Sequence, residues 1–72
     1  MTKTESSLTG RELQVVVLIG KNKKYREIAE ELDLGYETVK TYAARIRRKL
    51  KVNSKVAVAL WAQQQGMISD EE

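Results

Sequence analysis

The chain has 72 residues, with 13 Lys and Arg against 10 Asp and Glu, and contains no cysteine, histidine or proline. This length suits one small domain, and the missing residue types exclude disulfides, thiolate metal sites and the commonest general base. We therefore expect that the protein is not an enzyme and that it binds no cofactor.

Residues 1–7 are polar and are predicted to form a flexible N-terminal segment. The first helix is predicted at about 9–20, because Thr9 and Glu12 have the spacing of a capping box. The β-branched run 15–19 could also form a strand, but the capping signal favours a helix. The predicted inner side of this helix consists of Leu13, Val16, Val17 and Gly20.

The next segment predicts two short helices joined by a tight turn. Asn22 is expected to close the first helix in a left-handed conformation. The second helix is predicted at about 25–32, with an inner stripe of Ile28, Ala29 and Leu32. After a turn in which Leu34 points inward, the third helix is predicted at about 36–50. Its apolar side consists of Val39, Tyr42, Ala43, Ile46 and Leu50.

Positive charge concentrates on the third helix and the residues after it. Residues 38–55 contain seven cations and no acid. On a helical wheel, Glu37, Thr41, Ala44 and Arg48 lie opposite the apolar side, flanked by Lys40, Arg45 and Arg47. A solvated face would explain the charge alone, but its coincidence with a helix-turn-helix pattern predicts phosphate binding.

The fourth helix is predicted at about 54–65, with Ser54 as its cap and Gly66 at its end. Val58, Trp61 and Ala62 form one apolar side, and Val56, Ala57 and Leu60 form a second. An edge helix needs only one apolar side, so the second is either a partner surface or exposed apolar residues. Met67 and Ile68 are expected to fold back onto the core, and 69–72 to form a polar tail.

The chain resembles the DNA-binding domain of the LuxR/FixJ/NarL family of bacterial transcription regulators. The matching positions align without a gap; they are Leu8-Thr9, Arg11-Glu12, Val15, Leu18, Glu27-Ile28-Ala29, Leu32, Thr38-Val39-Lys40, Ile46, Lys49-Leu50, Val52, Gly66 and Ile68. The resemblance implies an all-α, four-helix LuxR-type helix-turn-helix domain over 8–68, stand-alone and GerE-like in size. Its third helix would read DNA, and its fourth would pair two copies.

The chain departs from the family pattern at several positions. Asn22 and Lys51 replace glycines, and Tyr42 replaces a frequent histidine. Lys24 and Gly35 stand where Ser or Thr usually caps a helix. A lysine at a helix N-terminus is unfavourable unless an anion binds there, which supports a phosphate contact at Lys24.

The resemblance, taken together with the distribution of charge, predicts three sets of functional residues. The base-reading positions are Lys40, Thr41 and Ala44, of which Ala44 can offer only an apolar contact. Contacts to the DNA backbone are expected from Lys24, Thr38, Arg45, Arg47, Arg48 and Lys49. The dimer interface is expected to consist of Val56, Ala57, Leu60, Trp61 and Gln64.

The leading hypothesis is a cytoplasmic, bacterial, sequence-specific regulator of transcription that binds double-stranded DNA as a homodimer, with RNA polymerase as a further candidate partner. The short apolar runs and the absence of a signal peptide predict no membrane contact, and no small-molecule ligand is evident. The alternatives are a sigma-factor-like promoter-reading module and an inhibitor that only forms heterodimers with a longer relative. We expect a free-standing regulator, with an excised output domain of a longer protein as the other option.

Overall fold

A computed structural model describes residues 8–67 of the chain. These residues form no strand and four helices, which are α1 (Gly10–Gly20), α2 (Tyr25–Leu32), α3 (Tyr36–Leu50) and α4 (Lys55–Gln64). The all-α class is confirmed, and each predicted helix end lies within one residue of the observed one. The predictions for 1–7, Ile68 and 69–72 lie outside the described residues. Within 8–67, no helix has the length and apolar character needed to cross a membrane.

Two of the four described helices begin at side-chain caps that the sequence predicts. The Thr9 hydroxyl accepts the Glu12 N–H at 3.2 Å, and the Glu12 carboxylate accepts the Thr9 N–H at 2.9 Å, which completes a capping box. The Ser54 hydroxyl accepts the Ala57 N–H at 3.1 Å and caps α4. Gly35 and Lys24 provide no side-chain cap for α3 and α2.

Each of the four described helices is followed within two residues by a residue with a positive φ. These residues are Asn22 (66°), Asp33 (58°), Lys51 (61°) and Gly66 (74°). Asp33 and Lys51 come directly after their helices, whereas Asn22 and Gly66 each follow one further residue. After α3, for example, the N–H groups of Lys51 and Val52 bond the carbonyls of Arg48 and Arg47, as in a Schellman motif. Asn22 is therefore left-handed as predicted, and Lys51 adopts a conformation that favours glycine.

The core lies where all four helices meet, with α1 packed against α2, α3 and α4. Its buried apolar residues are Leu8, Val15, Val16, Ile19, Ile28, Ala29, Val39, Ala43, Ile46, Val58, Ala59 and Ala62. The predicted inner side of α1 was partly wrong, because Leu13 and Val17 are only half-buried while Val15 and Ile19 are fully buried. A helix that contacts three neighbours buries a wider face than a one-sided wheel predicts.

The helix-turn-helix unit consists of α2, the turn at 33–35, and α3. Leu34 packs against the core as predicted, and Ala29 is buried where α2 meets its neighbours. Val39, Ala43 and Ile46 bury one side of α3 against α1, α2 and α4. The opposite side of α3 is consequently held towards solvent along its length.

Candidate nucleic-acid interface

The outer side of α3 presents the residues predicted to read bases. Lys40 and Thr41 are exposed, and Ala44, one turn further along, is half-buried. The Thr41 hydroxyl donates to the Glu37 carbonyl at 3.1 Å, so its oxygen remains able to accept another hydrogen bond. The structure therefore brings the three predicted base-reading residues onto one helix face.

Lys40 has two neighbours in the first turns of α3. Its Nζ lies 3.8 Å from the Glu37 carboxylate and 5.5 Å from the centre of the Tyr36 ring. The Lys40 side chain is 50% exposed and that of Glu37 is 83% exposed. Because both groups are well solvated, this ion pair is weak and a ligand can replace it.

A shallow depression lies beside these residues on α3. It has a volume of about 230 Å³ and is lined by Thr38, Thr41, Tyr42 and Arg45. The Arg45 guanidinium carbon lies 6.0 Å from the centre of the Tyr42 ring, so Arg45 is on the same side as Thr38 and Thr41.

The cations at the C-terminal end of α3 differ in their surroundings. Arg48 is exposed, whereas Arg47 is half-buried and its Nη1 donates to the Tyr25 hydroxyl at 3.4 Å. The Lys49 ammonium donates to the Glu12 carboxylate at 2.8 Å. Lys49 therefore has a structural partner inside the fold, while Arg48 points its charge into solvent.

Glu12 is the buried acid of the described residues, and its side chain is only 2% exposed. Burial alone would raise the pKa of the Glu12 carboxyl. The hydrogen bonds from Lys49 and Thr9, together with the positive charge of Lys49, outweigh burial and hold this pKa below its ordinary value. Glu12 is thus ionised at neutral pH and joins the start of α1 to the end of α3.

Lys24 lies at the start of α2, beside cations that the sequence-based interpretation did not include. A cavity of about 410 Å³ is lined by Lys24, Tyr25, Arg26, Glu27, Glu30, Tyr36 and Lys55. The Lys55 ammonium lies 4.9 Å from the centre of the Tyr25 ring. Arg26, Lys55 and the two tyrosines were missed, because their proximity depends on how α2, α3 and α4 pack.

The outer side of α4 exposes apolar side chains. Val56 is 68% exposed and Leu60 is 51% exposed, while Ala57 and Trp61 are half-buried. Gln64 is exposed at the end of the same helix. The residues predicted to pair two copies therefore include the two most accessible aliphatic side chains of the described region.

No group of three or more acidic, histidine or cysteine side chains in residues 8–67 has an arrangement that could hold a metal ion. The cations of the described residues concentrate on α3, which carries Lys40, Arg45, Arg47, Arg48 and Lys49.

Comparison with known proteins supports the resemblance drawn from the sequence. The family model described as bacterial regulatory proteins, luxR family, matches residues 6–62. The chain is 38% identical over 63 residues to the transcriptional regulatory protein LiaR of Bacillus subtilis (strain 168), covering 88% of this chain and 30% of that protein. It is 39% identical over 72 residues to the response regulator UvrY of Escherichia coli (strain K12), covering 96% of this chain and 33% of that protein.

A third relative, the response regulator GacA of Pseudomonas aeruginosa, is 40% identical over 62 residues, covering 86% of this chain and 29% of that protein. The chain thus spans about a third of the length of the relatives it matches. The family match covers most of α1 to α4, including the whole helix-turn-helix unit. The chain therefore belongs to the luxR family of bacterial regulatory proteins, as a helix-turn-helix domain.

Proposed function

We propose that this protein is a sequence-specific regulator of transcription that places α3 in the major groove of double-stranded DNA. Membership of the luxR family supports a DNA-binding regulator. The observation that carries the proposal is the two-sided character of α3. One side is buried by Val39, Ala43 and Ile46, and the other offers Lys40, Thr41 and Ala44 to a groove.

The proposed contacts to the DNA backbone flank this reading face. Thr38, Arg45 and Arg48 are exposed on α3, and Lys24 lies at the start of α2, where helix polarity favours a phosphate. Arg47 is a further member of the proposed set, and its guanidinium is held by a hydrogen bond to the Tyr25 hydroxyl. Lys49 is the weakest member of the proposed set, because its ammonium already bonds the buried Glu12 carboxylate.

We further propose that two copies pair through α4 on one DNA site. This proposal is supported by the exposed apolar side chains of Val56 and Leu60, since burying them against a second copy would remove them from water. Ala57, Trp61 and Gln64 surround them on α4. Pairing would place two α3 helices about one helical turn of DNA apart. A small interface of this kind gives a weak dimer in solution that binding to adjacent half-sites strengthens.

We propose a non-enzymatic, cytoplasmic protein, with RNA polymerase as a further partner. One relative is named a transcriptional regulatory protein and two are named response regulators, which supports a role in regulated transcription. Each of these relatives is about three times longer than the matched region, so this domain supplies only the DNA-binding part of such an activity.

The decisive experiment selects bound sequences from random duplex DNA and then measures affinity for the selected site. Lys40→Ala is expected to weaken specific binding by roughly 5- to 150-fold, because one good base contact contributes about 1–3 kcal/mol. Lys21→Ala is the matched control, since it removes an exposed lysine that lies outside the proposed interface. Unchanged affinity in Lys40→Ala, or selection without any sequence preference, would contradict the proposal.

Pairing is tested separately with Leu60→Glu, which places a charge in the exposed apolar side of α4. Sedimentation should show a folded monomer, and binding to a two-half-site duplex should weaken more than binding to one half-site. Gln65→Glu, the same charge change at the exposed end of α4, is the control. An unaltered association state in Leu60→Glu would remove α4 as the interface.

A further inference from the structure

Tyr36 is an exposed aromatic residue in the first turn of α3 that the proposed contacts leave without a role. Among residues 8–67, the large apolar side chains that are exposed are Tyr36, Val56 and Leu60. The two aliphatic residues belong to the proposed pairing surface, whereas Tyr36 is 45% exposed on a different helix. Its exposure therefore needs a separate explanation.

The Tyr36 ring has a cation from each helix of the helix-turn-helix unit close to it. The Lys40 ammonium lies 5.5 Å from the ring centre, and the Arg26 guanidinium carbon lies 6.0 Å from it. Both distances are within the range of cation–π attraction. Arg26 belongs to α2 and Lys40 to α3, so one ring contacts the proposed base-reading lysine and a cation of the neighbouring helix.

The ring limits the positions that the Lys40 ammonium occupies. A lysine side chain loses rotational freedom when it binds, and this loss weakens affinity. The Glu37 carboxylate, 3.8 Å from the same ammonium, provides a second restraint in the unbound protein. A carboxylate close to phosphates is repelled, whereas an uncharged aromatic ring is not.

We propose that Tyr36 is a positioning residue for sequence recognition, and this inference rests on the proposed DNA-binding function. Its ring holds the Lys40 ammonium ready for a base acceptor. On binding, a base acceptor replaces the Glu37 carboxylate while the contact between Lys40 and Tyr36 remains. The base edge that suits lysine is guanine, which offers O6 and N7 in the major groove.

The test compares Tyr36→Phe, Tyr36→Ala, Lys40→Ala and the double variant Tyr36→Ala/Lys40→Ala on the selected duplex. Tyr36→Phe keeps the ring and should retain affinity. Tyr36→Ala should weaken binding about two- to fivefold, the range that an exposed cation–π contact supplies. The double variant should bind no more weakly than Lys40→Ala alone, because Tyr36 acts through Lys40. Tyr36→Leu, which keeps the apolar bulk without the aromatic ring, should behave as Tyr36→Ala does.

Two results would overturn the inference. Equal losses in Tyr36→Phe and Tyr36→Ala would mean that the hydroxyl contacts DNA directly, and additive losses in the double variant would mean that Tyr36 acts without Lys40. Failure of the proposed function looks different, because Lys40→Ala would then leave affinity unchanged. If Lys40→Ala weakens binding and Tyr36→Ala does not, only the role of Tyr36 fails.

Discussion

Lys40 and Lys49 lie towards opposite ends of α3, and each pairs with a glutamate in a different environment. Lys40 lies 3.8 Å from Glu37, with the two side chains 50% and 83% exposed. Lys49 lies 2.8 Å from Glu12, with the two side chains 32% and 2% exposed. The first pair is local to one helix, and the second joins α3 to α1. Positive charge on α3 therefore lies in solvent in the first pair and is tied into the fold in the second.

The sharpest way to test this difference is to remove each lysine charge in turn. Lys49→Met leaves the Glu12 carboxylate buried without its cation and should lower the free energy of unfolding by about 3 kcal/mol. Lys40→Met breaks only a solvated pair and should change it by less than about 0.5 kcal/mol. Urea unfolding monitored by circular dichroism measures both. Equal unfolding midpoints for the two variants would contradict the structural role of Lys49.

The contribution of the Glu12–Lys49 pair to stability should depend on pH. The pKa of Glu12 is lowered in the folded state, so its contribution to stability is present above the unfolded-state pKa. That contribution is lost as pH falls through the lower folded-state pKa. The stability difference between the parent protein and Glu12→Gln should therefore shrink with acidification, as measured by urea unfolding at a series of pH values. A difference that is constant with pH would contradict the assignment.

The end of α3 near Lys49 also contains a strained residue. Lys51 has a φ of 61°, which costs a non-glycine residue about 1 kcal/mol. Lys51→Gly should therefore raise the free energy of unfolding by up to about 1 kcal/mol. Asn22→Gly, at a φ of 66°, should raise it less, because asparagine tolerates the left-handed region better. Loss of stability in Lys51→Gly would show that its side chain contributes more than its backbone costs.

The smallest expected effect on stability belongs to the exposed acid, Glu37. Glu37→Gln should leave the free energy of unfolding within about 0.5 kcal/mol of the parent value. It should also raise affinity for DNA of unrelated sequence, because a negative charge next to phosphates is removed. Fluorescence anisotropy on unrelated duplexes measures this change. Weaker binding to such duplexes would contradict the expectation that the Glu37 carboxylate repels nearby phosphates.

The sequence predicted the elements well because their ends carry local signals. Thr9 and Glu12 form the expected capping box, Ser54 caps α4, and Asn22 closes α1. The pairing of Glu12 with Lys49 was not predicted, because it joins residues from the first and third helices. The proximity of Tyr36 to Arg26 escaped prediction for the same reason. Local spacing predicts where helices begin and end, but contacts between helices depend on their packing.

One oxygen of Glu12 has a consequence for local opening of the protein. The same Oε1 accepts the Thr9 N–H and the Lys49 ammonium. Fraying of the first turn of α1 therefore weakens the attachment of the last turn of α3, and the reverse also holds. These two distant turns should exchange their amide hydrogens as one cooperative unit rather than as two independent helix ends.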